Sequence, residues 1–370
     1  MGRLRGARTT APIENAMKKS PEIKFPDDEG SHRANVEWWY WNGHLHDTAG
    51  KKYAFMNCLF KINPLKIQLP FPSLSAHKTE WYFAHSIVSD IDTQKSYPAI
   101  DPVCIVSRDS FENKKLSVRY SSPFELSKNA ASEMRAVAPN HYHVKNNQLD
   151  LSFISKKPPL FENGTGLLRL GAAEVYYYSL THLETKGTIV VDGKHIPVEG
   201  TSWFDHEWSD TEESKIAWTW FSIQLESNIE IICFALTQGN NELRLASVML
   251  ENGGTLHTNG LTLTDRKDYW VSPKTEASYP LSWDISIPEH KIELTTAPLI
   301  REQEMLYGFI NYWEGPIAVA GTFRGKKVSG QGFLELVGCP IKESRLSIVR
   351  QEINEVARKI AASRKAKIAK

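Results

Sequence analysis

Residues 186–204, KGTIVVDGKHIPVEGTSWF, predict a β-hairpin, and this hairpin indicates the fold class of the whole chain. Two runs of alternating apolar and polar residues flank the pair Asp192-Gly193. A type I′ turn needs positive φ angles at both central residues, so an Asp-Gly pair favours this turn between two antiparallel strands. Residues 217–225, AWTWFSIQL, alternate in the same way, and the turns ESN and QGNN separate two further strands. We therefore expect an all-β protein built from antiparallel strands.

Strands at this spacing predict closed antiparallel barrels, which have no exposed edges and enclose a small ligand when about eight strands close them. One such barrel needs far fewer than the 370 residues of this chain. We therefore expect two consecutive barrels, at residues 25–195 and 196–340, each with its own aromatic cluster. Residues 1–24 are expected to be a flexible leader, and Met17 is an alternative start.

Residues 341–370 show the one long helical pattern in the sequence. Apolar residues recur there at spacings of three and four, as in an amphipathic helix: Leu346, Val349, Ile353, Val356 and Ile360. From Lys342 onward the segment carries nine Lys or Arg against three Asp or Glu. Two hypotheses remain open: the helix packs on its own barrel with a solvated basic face, or residues 342–370 contact a membrane surface or a partner helix.

Charge, cysteines and hydropathy exclude several classes of protein. Lys and Arg total 44 against 43 Asp and Glu, so the chain has no general attraction for nucleic acid. The four cysteines are far apart and form no CxxC pair, which gives little support to a zinc site or a disulfide framework. The N-terminus lacks the apolar region of a signal peptide, and no window reaches the roughly 18 apolar residues of a spanning helix. We expect a cytoplasmic or peripheral membrane protein that is a monomer or homodimer.

Several stretches of the chain resemble, in order, the AttH-like family. The blocks that carry the resemblance are GSHRANVEWWYWNGHLHD (30–47), YFAHSIVSDID (82–92), EVYYYSLTHLETKGTI (174–189), GTSWFDHEWS (200–209), AWTWFSIQL (217–225), YWEG (312–315) and GQGFLELVG (330–338). That family includes the carotenoid 1,2-hydratases, also called hydroxyneurosporene synthases. The resemblance implies two lipocalin-like barrels and cofactor-free, acid-catalysed hydration, cyclisation or isomerisation of C=C bonds in an isoprenoid- or polyene-like molecule.

The expected site matches the carotenoid hydratases only in part. The resemblance links the acid chemistry to an aromatic-x-Asp element, which Trp203-Phe204-Asp205 matches at the aspartate, with Trp in place of Tyr. Those enzymes also carry a His-x-Trp pair on the preceding strand, where this chain has Tyr176-Tyr177-Tyr178. Carotenoid hydration is therefore left open, and an isoprenoid-like substrate is retained. A non-catalytic carrier of hydrophobic ligands is the alternative function.

The stretch WFDHEW (203–208) predicts the catalytic residues on physical grounds. Adding a proton to an unactivated C=C bond needs a strong acid, and burial keeps a carboxyl protonated near neutral pH. Aromatic rings stabilise the resulting cation without trapping it. Asp205 is the expected general acid, Glu207 shares its face of the strand, and His206 either assists Asp205 or points to the opposite side. The rings expected to line a ligand cavity are Trp38, Tyr40, Tyr176, Tyr178, Trp203, Trp208, Trp218 and Trp220.

Structural roles are the competing interpretation of the same residues. In that interpretation Asp205, His206 and Glu207 form a salt-linked cluster with an Arg or Lys that pins the two barrels together. Glu37 and Glu314 also lie among aromatic residues, and we expect them to be hydrogen-bonded anchors rather than second acids. His44 and His85 are lone histidines of the kind most often satisfied in a core or at its rim.

Rival chemistries lack the spacing that they need. HEWSD (206–210) is not HExxH, because Asp210 stands at the second ligand position. GTSWF (200–204) lacks the final glycine of GxSxG, so the nucleophile elbow of an esterase is missing. No glycine-rich stretch has the spacing of a dinucleotide fingerprint or a Walker loop. We therefore expect no metal and no bound cofactor, and a hydrophobic small molecule as the partner.

Overall fold

The computed structural model describes residues 22–67, 80–111, 114–122, 131–170, 173–212, 216–239, 241–307, 310–343 and 347. These ranges contain 24 β-strands and three short 3-10 helices, at Arg108–Phe111, Glu162–Gly164 and Pro288–His290. None of the helices in them has the length and apolar character needed to cross a membrane. The all-β prediction is confirmed. The helix expected at 341–370 falls almost wholly outside the described residues and stays a prediction.

Twelve strands form the first sheet. Their bounds are β1 (Val36–His46), β2 (Lys52–Ile62), β3 (Trp81–Asp90), β4 (Lys95–Val106), β5 (Ser117–Ser121), β6 (Ser132–Ala138), β7 (His141–Lys145), β8 (Leu149–Ser155), β9 (Leu160–Phe161), β10 (Leu167–Leu170), β11 (Ala173–Val191) and β12 (Lys194–Ser209). The pairing runs from β11 through β12 to β1 and on to β8, and β8 pairs back with β11. Ten strands therefore close into a barrel, and β9 and β10 extend along β11.

The remaining strands form a second sheet and a short hairpin. Their bounds are β13 (Ile216–Leu225), β14 (Ile229–Gln238), β15 (Asn241–Met249), β16 (Thr255–Thr258), β17 (Thr262–Asp265), β18 (Tyr269–Val271), β19 (Ser278–Pro280), β20 (Trp283–Ile287), β21 (Ile292–Pro298), β22 (Glu304–Tyr307), β23 (Ile310–Phe323) and β24 (Lys326–Val337). The sheet order is β16-β15-β14-β13-β24-β23-β21-β20-β17, with β22 on β23 and the pair β18-β19 apart. Within the described ranges no ladder joins β16 to β17.

The Asp-Gly hairpin forms as the sequence predicts. Asp192 and Gly193 have φ angles of 50° and 73°, as a type I′ turn requires. Because a two-residue turn keeps its strands in one sheet, β11 and β12 both belong to the barrel. The chain enters the second sheet only between Ser209 and Ile216, whereas the sequence placed residues 196–209 in the second barrel. The expected boundary at 195 cut through this hairpin.

Alternation along the strands separates three large apolar clusters and a small one of Ile62, Trp81 and Phe83. One fills the barrel and contains Trp41, Phe153 and Phe204. A second packs on the far face of the second sheet. The third lies between the two sheets and takes side chains from both: Tyr40, Met56, Tyr177, Trp203, Trp220, Phe234, Tyr312 and Phe333. This shared layer holds the candidate site.

Candidate active site between the two sheets

Adjacent residues of β12 point to opposite faces of the barrel wall. Trp203 and Asp205 belong to the layer between the sheets: Trp203 is part of its apolar cluster, and Asp205 accepts hydrogen bonds from Trp203 and from Tyr177, which itself accepts one from Trp220 of the second sheet. Phe204 and Trp208 pack in the core of the barrel. His206 also faces inward, 5.5 Å from the ring of Tyr178.

The first wall of the site follows from the strand register. Glu207 lies opposite Trp38 of β1 and Tyr177 of β11. Asp205 lies opposite Tyr40 of β1 and Ser179 of β11. Since directly paired residues point to the same side of a sheet, these side chains form two rows across the outer face of the barrel.

The second wall is the facing surface of the second sheet. Trp220 of β13 pairs with Phe234 of β14 and with Glu335 of β24. Glu335 in turn pairs with Glu314 of β23, so two carboxyls lie side by side. Trp218 donates a hydrogen bond from Nε1 to Oε2 of Glu335 at 2.7 Å.

Hydrogen bonds join the two walls across the layer between the sheets. Tyr40 donates to Oε1 of Glu314 at 2.7 Å. Trp220 donates from Nε1 to the hydroxyl oxygen of Tyr177 at 3.0 Å. We name this space the interface cleft, and its four acids Asp205, Glu207, Glu314 and Glu335 the carboxyl cluster.

Burial in the interface cleft is complete at depth and only partial toward one end. Asp205 is 2% exposed and Glu314 is fully buried. Nearer the strand ends, side chains that point between the sheets are only half-buried: Trp38, Phe60, Glu207, Trp218, Glu335 and Val337. Residues that face another wall yet keep access to solvent indicate an opening there. The mouth is apolar and aromatic, with two carboxyls on its sides.

Three uncharged donors hold the carboxyl of Asp205. The hydroxyl of Ser179 and Nε1 of Trp203 donate to Oδ1 at 2.5 and 2.6 Å, and the hydroxyl of Tyr177 donates to Oδ2 at 3.0 Å. Burial raises the pKa of Asp205 to about 7, and these three hydrogen bonds limit the rise. Asp205 is therefore poised to exchange a proton near neutral pH.

The pKa values of the other three acids of the carboxyl cluster are also raised, which favours their neutral forms. Burial, with the charge of Asp205 next, raises the pKa of Glu207 well above its usual range. Burial and the neighbouring Glu335 do the same for Glu314, and burial raises the pKa of Glu335 to about 7. Among the residues that the structure describes, no Lys or Arg forms an ion pair or hydrogen bond with these four acids.

A fifth buried acid, Glu162, lies beside the cluster. Its Oε2 accepts a hydrogen bond from Ser247 of the second sheet at 2.7 Å, and its Oε1 lies 3.5 Å from Oγ of Ser179. The single hydroxyl proton of Ser179 goes to the nearer acceptor, Asp205. Burial raises the pKa of Glu162 to about 8.

His206 belongs to a different group, inside the barrel. Its Nε2 donates to Oε1 of Glu37 at 3.1 Å, because the carboxylate can only accept. Lys61 and His32 contact the same carboxylate at 3.0 Å. Burial opposes ionisation, but the hydrogen bonds from His206 and His32 and the charge of Lys61 hold the pKa of Glu37 well below its usual range. Glu37 is thus an ionised anchor, and the salt-linked cluster of Asp205, His206 and Glu207 does not form.

His32, Glu37 and His206 also meet the spacing of metal ligands. One ligand atom of each lies within 4.8 Å of the others. Lys61, however, already neutralises Glu37, and a metal ion would bring a second positive charge next to its ammonium group. The donor set therefore fits an internal ion pair better than a metal centre.

The expected ring residues divide between the two faces of the barrel wall. Trp38, Tyr40, Trp203, Trp218 and Trp220 face the interface cleft. The other three, Tyr176, Tyr178 and Trp208, face the barrel core, where Tyr176 stacks on Trp208 at 5.4 Å. Sequence reasoning missed Tyr177, Glu162 and Glu335. The lone acid in the apolar run FLELV was the available signal for Glu335.

Two cavities open elsewhere in the described structure. One of about 290 Å³ lies next to β4, Trp270 and Glu304, and the other, of about 230 Å³, lies beside β3 and β4 next to Asn57 and Ser86. No ring residue expected from the sequence lines either of them. The orientation and exposure of its own side chains distinguish the interface cleft as a candidate ligand site.

A closed barrel, a second antiparallel sheet and an acidic aromatic cleft between them define a two-part lipocalin-like protein. A family model for AttH-like proteins matches residues 16–339, and the chain belongs to the AttH-like family. The crystal structure of a protein assigned as AttH from Nitrosomonas europaea has a TM-score of 0.68 at 23% identity, over 89% of this chain and 100% of that one. Kievitone hydratase from Nectria haematococca has a TM-score of 0.68 at 17% identity, over 86% and 93% of the two chains. These likenesses confirm the fold.

Two curated relatives are similar to this chain in sequence over part of their length. The dehydratase asqC of Emericella nidulans is 25% identical over 245 residues, which cover 60% of this chain and 67% of that protein. Kievitone hydratase of Fusarium solani subsp. phaseoli is 24% identical over 217 residues, which cover 56% of this chain and 60% of that protein. The second alignment thus spans less than two thirds of the relative.

Proposed function

We propose that this protein is an enzyme that adds water to, or removes water from, a C=C bond of an apolar molecule bound in the interface cleft, with Asp205 as the proton donor. One observation carries the proposal. The carboxyl of Asp205 is buried among aromatic rings, is held by three uncharged donors and faces the cleft. A carrier needs apolar walls and an opening, whereas a buried acid with this environment is what protonation of an alkene requires.

The chemistry follows from the protonation state of Asp205. Its acid form donates a proton to one alkene carbon, and the positive charge develops on the other. Rings such as Trp203, Trp220 and Tyr40 stabilise a nearby cation by roughly 0.5–2 kcal/mol each. Water then adds to the cation and gives up one proton to a base, and the reverse sequence removes water. The burial of Asp205 keeps its acid form available up to near neutral pH.

The curated relatives support this reaction class. A hydratase and a dehydratase run the same equilibrium in opposite directions, so both relatives fit one acid site. The apolar mouth at Trp38, Phe60 and Val337 favours a substrate with a hydrophobic, isoprenoid- or polyene-like portion. A carotenoid is one such molecule, and cyclisation or isomerisation would use the same protonated intermediate.

Asp205→Asn tests the proposal, because it keeps the shape of the side chain and removes the transferable proton. The exposed Asp284→Asn on β20 is the matched control. Each protein is incubated with kievitone, geranylgeraniol and lycopene in water labelled with heavy oxygen, and product oxygen is measured by mass spectrometry. We expect wild-type turnover with at least one compound and a loss of about 10²-fold or more in Asp205→Asn.

Ligand binding is followed separately by quenching of tryptophan fluorescence. The Asp205→Asn protein should still bind, because the apolar walls are unchanged. Binding by the wild type with no turnover of any compound would favour the carrier function. A folded Asp205→Asn protein with undiminished turnover would show that the acid lies elsewhere, with Glu207 next in line.

A further inference from the structure

One carboxyl oxygen of the buried Glu314 lacks a hydrogen-bond partner in the part of the chain that the structure describes. Its side chain is fully buried, and Oε1 accepts the hydrogen bond from Tyr40 on the opposite wall. Its Oε2 is buried as well and has no hydrogen-bond partner among the described residues. Buried polar atoms are almost always satisfied, so an open position on a buried carboxyl indicates a ligand or a water molecule.

The position of Glu314 relative to the acid follows from the strand register. Tyr40, which binds Glu314, is the direct cross-strand partner of Asp205. Asp205 and Glu314 therefore lie on the two walls, and Tyr40 reaches from its place beside Asp205 to Glu314. A molecule in the cleft has the proton donor on the barrel side and the open oxygen of Glu314 on the side of the second sheet.

Glu335 makes Glu314 half of a carboxyl pair. The two residues are direct cross-strand partners, and Glu335 is the more exposed of the two. Two adjacent carboxyls in a buried site share a proton rather than ionise together, since their negative charges repel. Such a pair can hold a water molecule and accept one proton from it.

We propose that the Glu314–Glu335 pair binds the oxygen that is added to or removed from the substrate and takes up its proton, opposite Asp205. This assignment rests on the proposed function. In the hydration direction, the O–H bond of Asp205 breaks and a C–H bond forms. The two π electrons of the C=C bond form this new C–H bond. A lone pair of the bound water forms the C–O bond, and the water gives one proton to the pair. Asp205 ends as a carboxylate and the pair gains one proton, which returns to Asp205 through solvent at the half-buried Glu335.

Two variants of Glu314 separate oxygen binding from proton uptake. Glu314→Gln keeps polar atoms at the site but cannot take up a proton, and Glu314→Met has similar length and no hydrogen-bonding group. α-Terpineol and limonene are the probes, because they are a tertiary alcohol and its dehydrated counterpart. We expect the wild type and Glu314→Gln to bind α-terpineol more tightly than limonene, by about tenfold, and Glu314→Met to lose this preference. A preference for the alcohol that survives in Glu314→Met would overturn the assignment, whether or not the protein is an enzyme.

Turnover supplies the second readout, with the exposed Glu293→Gln of β21 as control. In deuterium oxide, Asp205 delivers deuterium to the alkene carbon even when water addition is blocked. We expect Glu314→Gln to retain deuterium incorporation and to lose about 10²-fold of heavy-oxygen incorporation. Loss of both labels in proportion would contradict a role in water addition. Equal rates in Glu314→Gln and wild type would also overturn it, and would leave the role of Asp205 intact.

Discussion

Tyr40 donates a hydrogen bond to Glu314, 274 positions further along the chain, and this contact joins the barrel to the second sheet. Asn42 donates in turn to the hydroxyl oxygen of Tyr40 at 3.0 Å, and to Ser222 of β13 at 3.1 Å. The phenol thus has a fixed position between the two walls. Its ring lies edge-on to Trp220, with ring centres 5.5 Å apart.

Removing the hydroxyl of Tyr40 should destabilise the protein. Tyr40→Phe leaves Oε1 of Glu314 buried without its donor, which costs about 1–3 kcal/mol of the free energy of unfolding. Urea unfolding measures the loss. Tyr176→Phe is the matched control, because that ring packs on Trp208 in the barrel and its described contacts are ring contacts. Equal stability of the two variants would show that the Tyr40 hydrogen bond contributes nothing.

The contribution of Asp205 to the free energy of unfolding should fall as pH rises. Its pKa is about 7 in the folded protein against 3.8 as the usual value, so the folded state holds the proton more tightly. The contribution of Asp205 is complete below about pH 4 and is lost as pH rises to about 7, at about 1.4 kcal/mol per pH unit. Unfolding of wild type and Asp205→Asn across this range isolates it. Parallel curves for the two proteins would contradict the raised pKa. Catalytic activity should decline as pH rises through about 7, because the folded protein then loses the acid form of Asp205.

The ion pair inside the barrel should be sensitive to loss of its cation. Lys61→Met leaves the buried carboxylate of Glu37 without its positive partner and should cost about 3–5 kcal/mol. Lys66→Met breaks an exposed pair with Glu212 and should cost under about 1 kcal/mol. The difference between Lys61→Met and wild type should shrink in acid, where Glu37 becomes protonated. Similar losses in the two lysine variants would argue against a buried pair.

A second buried ion pair, unlike the one inside the barrel, joins the first part of the chain to the second sheet. Lys157, between β8 and β9, contacts Glu230 of β14 at 2.6 Å, and both side chains are nearly inaccessible. Lys157→Met should lower the free energy of unfolding by about 3–5 kcal/mol. The neighbouring Lys156 pairs with Glu184 at the surface, so Lys156→Met should have little effect. If calorimetry gives both variants the same melting temperature, Lys157 has no role in docking the sheets.

The sequence predicted the hairpin and the burial of Asp205 among aromatic residues, whereas a bulge in β11 changed the faces of its tyrosines. Continued without interruption from the turn, the register would pair Asp205 with Leu180 and Glu207 with Tyr178, which would place Tyr176 and Tyr178 on the acid side. The register shifts between Leu180 and Leu183, so Ser179 and Tyr177 take those positions. One extra residue reverses the alternation. No local pattern in the sequence marks it, because both alternating sets are aromatic.

The second wall was beyond the reach of local patterns for a different reason. Glu314 was expected to be an anchor, and it does bind Tyr40. Its neighbour Glu335 comes from the next strand, which a two-residue turn at Arg324-Gly325 joins to β23, so the pair itself is local and only its contact with the barrel is long-range. Docking of two sheets depends on contacts between residues far apart in the sequence. Local patterns therefore singled out Asp205 but not the Glu314–Glu335 pair on the opposite wall.

The division of the cleft between two sheets means that neither half of the chain contains a complete site. Asp205 arrives with β12 and the Glu314–Glu335 pair with β23 and β24, so the distance between them is set by how the sheets dock. A displacement of about 1 Å between reacting groups can change a rate about 10²-fold. Substitutions where the two sheets contact each other outside the interface cleft can therefore change which molecule reacts, although no residue of the cleft is replaced. Fragments ending at Ser209 and beginning at Ile216 should regain turnover only when they reassociate.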